Sequence, residues 1–188
     1  ILTGKIKMIE IRDTFILGCV VMYPEIKQRH LGVFAEMYKR CALPQFVAFQ
    51  TNYEEATVGT ISGIHQTPYG KLISCLAGKV YIVCVDLRPE SETYNQYFGT
   101  TIDSEKLNSI YIPPNCGHGF FVQESCKLYH QQDSVYEPKH DMGHCWCDPA
   151  FNIIWPVATP SVISQRDKKS CENISKNVST SSPSSINL

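Results

Sequence analysis

One histidine and one lysine border a short Pro-Gly turn in the segment GTISGIHQTPYGKL, residues 59–72. A histidine such as His65 can move a proton near neutral pH, and the ammonium group of Lys71 can stabilise negative charge. Ile61 and Leu72 are typical of strands, so the segment is predicted to be two strands joined by a tight hairpin. The pair indicates acid–base chemistry at the mouth of that hairpin, although the polar ends of an ordinary surface turn would have the same composition.

Three further stretches carry residues of comparable chemistry. YIPPNCGHGF places His118 between two glycines, which let the backbone approach a ligand or another strand closely. KLYHQQDSVYEP supplies the phenols of Tyr129 and Tyr136, and SVISQRD supplies the carboxylate of Asp167. A lone histidine in a β protein is usually a core residue, so the interpretation depends on the order and spacing of the whole set.

The elements that must position these residues are almost all strands. Short segments rich in β-branched and aromatic residues follow one another and are separated by Gly, Pro or Asn. Their regular spacing predicts an all-β domain: a sandwich, a barrel or a jelly roll. The dipeptide Ala77-Gly78 divides the apolar run 71–87 and predicts a second hairpin. Residues 30–41, HLGVFAEMYKRC, have helical character.

Length and charge limit the classes of partner. The chain has 188 residues, enough for one domain with a sizeable core, and its net charge is −1. No basic field is available to attract nucleic acid, and no apolar run approaches the roughly 18 residues of a membrane span. We therefore expect neither nucleic acid nor a membrane as a partner.

The nine cysteines are scattered along the chain. Several lie in apolar, strand-like runs, where a free thiol behaves as a small hydrophobic side chain. Free thiols indicate a reducing compartment, so we expect a cytoplasmic protein. Cys145 and Cys147 in HCWC form a close pair, but their C-x-C spacing is not that of a zinc knuckle, and we expect no metal there.

The composition changes near the end of the chain. ATPSVISQRDKK, residues 158–169, is predicted to form a turn and a short helix. From residue 170 onward the chain is rich in Ser and Asn and offers little apolar surface to bury. We therefore expect a folded domain over residues 1–169 and a flexible, dispensable tail over residues 170–188.

The motifs GKL, VDLR, IPPNCGHGF, DPAFNIIWP and SQRD together closely resemble the dTDP-4-dehydrorhamnose 3,5-epimerase family, over about residues 13–168. The resemblance implies a cupin-like jelly roll (a double-stranded β-helix) with a few short helices. It implies an enzyme that inverts C3, C5 or both carbons of a 4-keto-6-deoxy sugar linked to dTDP, UDP or GDP. It also implies proton transfer without a cofactor or a metal, and a homodimer that exchanges N-terminal strands, with KIKMIEI (residues 5–11) as the expected donor.

The resemblance further implies roles for individual residues. The catalytic positions match His65 as the base, Asp167 as the carboxylate that orients it, Lys71 beside the sugar and Tyr129 as the acid. The substrate-binding positions match six more residues: His118, Gln50, Asn52, Tyr136, Glu36 and Ser62. One extra residue separates Tyr129 from Tyr136, so either phenol could be the acid. Because a ketone at C4 acidifies the C–H bonds at C3 and C5, inversion needs a base on one face of the sugar and an acid on the other.

Two positions depart from the family pattern. Arginines that hold the substrate and its diphosphate in the family are Leu31 and Ser62 here, a loss of two bidentate phosphate donors. The alternative hypothesis is therefore a reassigned cupin that binds a sugar nucleotide without epimerising it. The retained His65 and Asp167 favour the epimerase. A metal-dependent cupin would need an H-x-H motif, which SGIHQTP lacks.

Overall fold

The computed structural model describes residues 9–157 and 159–179. In chain order its strands are β1 (Glu10–Asp13), β2 (Val20–Tyr23), β3 (Ile26–Arg29), β4 (Gly32–Ala35), β5 (Gln50–Ala56), β6 (Thr60–Gln66), β7 (Lys71–Asp86), β8 (Tyr97–Asp103), β9 (Ser109–Ile112), β10 (Cys116–Gln132), β11 (Met142–Gly143) and β12 (Val162–Ile163). A single 3-10 turn spans Pro138–His140 in the described chain, and helix α1 spans Gln165–Ser179. The prediction of an all-β protein with short helical pieces is confirmed.

Ten strands form one sheet that folds over on itself. Its path runs β1-β2-β9-β7-β10-β6-β11, while β5 joins β10, β8 joins β7 and β12 joins β6. The long antiparallel strands β7 and β10 belong to two layers. The first part of β7 and the last part of β10 lie with β9 and β5, and their remaining parts lie with β8 and β6. Two layers joined in this way give the predicted jelly roll.

Gly78 permits the bend that carries β7 from one layer to the other. Its φ is +74°, and a Cβ atom at this position would overlap the carbonyl oxygen of Ser125. The register of β10 against β7 shifts between Val122 and Leu128, so β10 carries a bulge at the same level. Ala77-Gly78 therefore bends a single strand, and the prediction of a hairpin at this dipeptide is wrong.

The interior between the two layers is filled by buried apolar side chains, including Ile73, Ile82, Val122 and Leu128. Burying a side chain of this size stabilises the fold by about 1.5–3 kcal/mol. Two smaller clusters cover the outer faces of the layers, one built around Phe46 and the other around Phe151. The site must therefore lie where this apolar filling ends, at the open end of the jelly roll.

The segment 59–72 does not form the predicted hairpin. Strand β10 lies between β6 and β7 in the sheet, so these two strands do not pair with each other. His65 lies opposite His118 of β10, and Lys71 lies opposite Gln132 of the same strand. The hairpin prediction is wrong because one long strand from later in the chain supplies partners to both.

The predicted helix within residues 30–41 is also wrong. Strands β3 and β4 pair as a two-stranded hairpin separate from the main sheet. Leu31 stands at its tip and is 88% exposed. Arg29 stacks over the ring of Phe34, with its guanidinium carbon 4.0 Å from the ring centroid. Cross-strand contacts of this kind outweigh the weak helical propensity of the segment.

The hydroxyl of Ser164 caps helix α1. Its Oγ accepts a hydrogen bond from the backbone N–H of Asp167 at 3.0 Å and donates one to Asp167 Oδ2 at 2.8 Å. The helix continues past the expected domain boundary at residue 169. That boundary and the flexible, dispensable tail stay predictions. Residues 180–188 lie outside the described part. Most of the proposed donor strand, residues 5–11, also lies outside it.

A disulfide joins Cys145 to Cys171 of helix α1. The other seven cysteines are free, and five of them are buried. The expectation of free thiols is therefore wrong for this pair, because the fold brings together two cysteines that are far apart in sequence. Among the described residues, no helix combines the length and apolar character needed to cross a membrane.

Candidate active site

A cavity of about 180 Å³ opens at the ends of β6, β7 and β10. It is lined by residues from four strands: Glu54, Ser62, His65, Lys71, His118, Gly119, Phe120 and His130. Four residues predicted from the sequence, His65, Lys71, His118 and Ser62, therefore lie together in one cavity.

His65 and Asp167 form a hydrogen-bonded pair at the wall of this cavity. His65 Nε2 lies 2.8 Å from Asp167 Oδ1, and the Asp167 side chain is 1% exposed. Burial alone would raise the pKa of Asp167, but hydrogen bonds and the proximity of His65, together with the hydroxyl of Ser164, keep that pKa below its ordinary value. An ionised Asp167 fixes the proton of His65 on Nε2 and leaves Nδ1 free to accept another.

Lys71 and His118 form a second pair. Lys71 Nζ lies 3.4 Å from His118 Nε2. Burial, reinforced by the positive charge of Lys71, holds the pKa of His118 well below its ordinary value. Burial also lowers the pKa of Lys71 to about 8, against the opposing effect of Asp141. A neutral His118 can thus accept a hydrogen bond from the ammonium group and fix its position.

Glycines on both sides of His118 bring β10 close to β6. A Cβ atom on Gly119 would lie 2.8 Å from the carbonyl oxygen of Ser62 and 2.7 Å from Ile64 Cδ1. A Cβ atom on Gly117 would lie 2.5 Å from Ile64 Cγ2. The close approach expected from this motif is therefore to a neighbouring strand, and it sets His118 beside His65, with 6.0 Å between ring centroids.

Asp141 and Arg166 form an ion pair near the cavity, and neither residue was predicted from the sequence. Arg166 donates two hydrogen bonds to the Asp141 carboxylate, at 2.7 and 2.8 Å. Both charges act on Lys71, Asp141 raising and Arg166 lowering its pKa. Arg166 stands beside Asp167 in the SQRD motif and could have been noticed, whereas no sequence signal marks Asp141.

Gln50, Asn52 and Tyr136 do not line the cavity, but Asn52 lies opposite His130, which does. Gln50 Nε2 donates to Asn52 Oδ1 at 2.9 Å, and Gln50 Oε1 accepts a hydrogen bond from the backbone N–H of Tyr136 at 2.8 Å. Alternation along β5 places Gln50, Asn52 and Glu54 on one face. Of these three, Glu54 reaches the cavity wall.

The structure does not bring Tyr129 into the cavity. Tyr129 borders a separate surface pocket, whose lining is Met37, Tyr38, Ser74, Leu76, Tyr129 and Gln131. Successive side chains of a strand point to opposite faces, so the neighbouring His130 faces the cavity instead. The two placements differ by one residue of register, and the extra residue before Tyr136 made this register ambiguous in the sequence.

The structure places the two remaining predicted residues, Glu36 and Ser62, apart from each other. Glu36 forms an ion pair with Lys39, at 2.8 Å between Oε2 and Nζ, and does not line the cavity. Of the two positions that lack the family's arginines, Ser62 faces the cavity and Leu31 is exposed on its hairpin.

Within the described residues, one group of three potential metal ligands has its ligand atoms within 4.8 Å of one another. It consists of the thiols of Cys145, Cys147 and Cys171. Two of these cysteines are joined in the disulfide. The histidines of the cavity are not part of such a group in the described chain.

Comparisons with known proteins agree with the motifs. The family whose model matches residues 13–173 is described as dTDP-4-dehydrorhamnose 3,5-epimerase. The enzyme of that name from Methanothermobacter thermautotrophicus is 29% identical over 161 residues, which are 80% of this chain and 87% of the relative. The dTDP-4-dehydrorhamnose 3-epimerase of Streptomyces niveus is 30% identical over 168 residues, or 84% and 81% of the two chains.

A solved structure extends the agreement to three dimensions. It is the dTDP-6-deoxy-D-glucose-3,5-epimerase of Legionella pneumophila in complex with dTDP-4-keto-L-rhamnose. It is similar to this chain with a TM-score of 0.81 and 27% identity, covering 86% of this chain and 91% of the other. The resemblance inferred from the motifs and the jelly-roll fold are confirmed.

Proposed function

The chain belongs to the dTDP-4-dehydrorhamnose 3,5-epimerase family, and on this premise we propose that it is an isomerase that epimerises a nucleotide-linked 4-keto-6-deoxy sugar in rhamnose-type biosynthesis. One observation carries the proposal: the hydrogen bond of 2.8 Å between His65 and the buried Asp167, at the wall of a cavity that also contains Lys71.

The geometry supports the first half of an epimerisation. Nδ1 of His65 removes the proton from a carbon next to the ketone, and the C–H electron pair moves into an enolate with its charge on the C4 oxygen. Asp167 stabilises the resulting imidazolium, and the ammonium group of Lys71 stabilises the enolate oxygen. The proton count balances without a redox partner.

The size of the cavity and the relatives support a class of substrate. A volume of about 180 Å³ suits a sugar ring, so the nucleotide would extend out of the cavity. The hydrogen-bonded group of Gln50, Asn52 and Tyr136 is the proposed contact for it, because Asn52 lies opposite His130 of the cavity. The Legionella pneumophila protein binds a dTDP-linked keto sugar, and we propose dTDP as the nucleotide, with UDP and GDP as the other candidates. Relatives named 3,5-epimerase and 3-epimerase support inversion at C3, with or without C5.

A cytoplasmic homodimer is also part of the proposal. Seven of the nine cysteines are free, and five of these are buried, which supports a reducing compartment, although a disulfide such as Cys145–Cys171 is uncommon there. The alternative, a cupin that binds a sugar nucleotide without epimerising it, is not favoured, because such a protein has no use for a buried carboxylate that fixes the tautomer of one histidine.

Solvent exchange tests the activity. The protein is incubated in D2O with dTDP-4-keto-6-deoxyglucose, and NMR measures deuterium at C3 and C5. We expect deuterium at one or both carbons together with the epimerised sugar, and loss of both signals in His65→Asn. Absence of deuterium with the dTDP-, UDP- and GDP-linked substrates would support the non-epimerising alternative.

A further inference from the structure

Two ionisable side chains of the cavity have no role in the steps above. His130 Nε2 lies 3.2 Å from Glu54 Oε2, on neighbouring strands. The His130 side chain is 13% exposed, and its Nε2 atom is buried without an aligned hydrogen bond. Glu54 is 44% exposed and borders the same cavity. A histidine in contact with a carboxylate is thus present a second time.

The two histidines approach the cavity from different layers of the jelly roll. His65 belongs to β6, which pairs with the first part of β10, and His130 belongs to the last part of β10, which pairs with β5. The bulge of β10 separates these parts. Inversion at carbon requires proton transfer on both faces of the sugar ring, and facing walls can supply it.

We propose that His130, positioned by Glu54, is the proton donor on the face of the sugar opposite His65; this inference rests on the epimerase activity proposed above. After His65 has removed the proton, the imidazolium of His130 gives its proton to the opposite face of the same carbon. The enolate electron pair forms the new C–H bond, and His130 becomes neutral. One inversion therefore moves one proton from His130 to His65, and water restores both.

The charged groups that face His130 come from several strands. Glu54 is in contact with it, at 3.2 Å between Oε2 and Nε2, while Lys71 and His65 line the same cavity. His118, the other histidine of the cavity, stays neutral because its pKa lies well below its ordinary value. The carboxylate of Glu54 is therefore the group placed to hold the donor nitrogen of His130 in position.

Removal of the donor tests the proposal. In His130→Phe we expect epimer formation to fall about a hundredfold or more, while deuterium still enters the substrate, because His65 can return a deuteron to the original face. Unchanged epimer formation would overturn the assignment. Loss of epimer in Tyr129→Phe, with His130→Phe active, would give the role to Tyr129. Failure of the proposed activity itself is distinct, since the wild-type protein would then show no exchange.

His130→Tyr keeps the test valid if the phenylalanine variant does not fold. A phenol is a proton donor of similar reach that keeps its proton to about pH 10, whereas an imidazolium loses it near neutral pH. We expect the variant to retain inversion, and the alkaline limit of kcat/KM to rise by about one unit or more. Lys71, with its pKa of about 8, then sets that limit. An unchanged pH profile would indicate a merely structural role and overturn the proposal.

Two adjacent glutamates of β5 provide a matched pair for the positioning role. Glu54→Gln removes the carboxylate beside His130, so the alkaline limit should shift to lower pH and kcat at pH 7.5 should fall several-fold. Glu55 contacts Tyr53 and Lys127 instead, and Glu55→Gln should leave the profile unchanged. Equal profiles for the two variants would overturn the role of Glu54.

Discussion

A carboxylate that is 1% exposed and bonded to one nitrogen of His65 leaves that imidazole a single free nitrogen for chemistry. Asp167→Asn keeps the size of the side chain, but it removes the charge that stabilises the imidazolium and lets the wrong tautomer form. We expect kcat to fall by about two to four orders of magnitude, with substrate affinity within about threefold of wild type. Single-turnover kinetics and calorimetry measure the two quantities.

Glu172→Gln, an exposed change on the same helix, is the control for Asp167→Asn. It should leave both kcat and affinity unchanged. An Asp167→Asn variant with wild-type kcat, or one that has lost only affinity, would contradict the orienting role of the carboxylate.

The lowered pKa of the partly buried Lys71 predicts a pH dependence of stability. Its pKa is lowered by burial from 10.5 in the unfolded chain to about 8. Between these values the unfolded state binds more protons, so the free energy of unfolding rises with pH through this window, and the full penalty applies below about pH 8. We expect Lys71→Met to be more stable than wild type at pH 7, by about 1–3 kcal/mol, and inactive.

Urea unfolding from pH 7 to 10.5 measures this effect, and the advantage of Lys71→Met should shrink as the pH rises. Lys79 lies on the same strand but forms an exposed ion pair with Glu124. The difference in the free energy of unfolding between Lys79→Met and wild type should therefore not shrink as the pH rises. If the difference in the free energy of unfolding between Lys71→Met and wild type stays constant with pH, burial does not lower the pKa of Lys71.

At the scale of elements, the bend of β7 depends on a residue without a side chain. Gly78→Ala would force an L-residue to a φ of +74° and place its Cβ against the Ser125 carbonyl. We expect a loss of about 2–4 kcal/mol in the free energy of unfolding. Gly32 also has a positive φ, +125°, but has open space around it, so Gly32→Ala should lose only the backbone strain, about 1–2 kcal/mol. Equal losses in chemical denaturation would contradict this difference.

The sequence predicted most strands because alternation and β-branched residues are local signals. It did not predict which strands pair. Ala77-Gly78 has the composition of a turn, yet β7 continues through it because the bulge in β10 lies alongside. The start of helix α1 was predictable from Ser164 and Asp167, which form a capping interaction, whereas its extent to Ser179 has no comparable local signal.

The site was predictable only in part, for the same reason. Motifs identified His65, Asp167, Lys71 and His118, because each of these residues lies in a short stretch of sequence whose other residues also match the family pattern. The choice between Tyr129 and His130 depends on the register of a strand beyond a bulge, which no local pattern fixes. Glu54 and Asp141 become neighbours of the cavity only once distant segments pack together.

At the scale of the whole molecule, the predicted homodimer can be tested directly. The chain has a mass of 21.2 kDa, so light scattering should give about 42 kDa, twice this value. If the N-terminal strand is exchanged, removal of residues 1–11 should give a monomer of lower stability, because both subunits then lose the strand that would join the partner's sheet. A full-length monomer would contradict the dimer, and a dimer that survives the deletion would contradict the strand exchange.

The bulge in β10 makes the identity of the inward-facing residue depend on the length of the strand. Side chains alternate with a period of two, so one residue added between Val122 and Leu128 would turn every later residue of β10 to the opposite face. Tyr129 would then occupy the place of His130 without any substitution. A single inserted codon could therefore exchange an imidazole for a phenol at this wall. Proteins with this fold can change the proton donor by an insertion, without any substitution in the site.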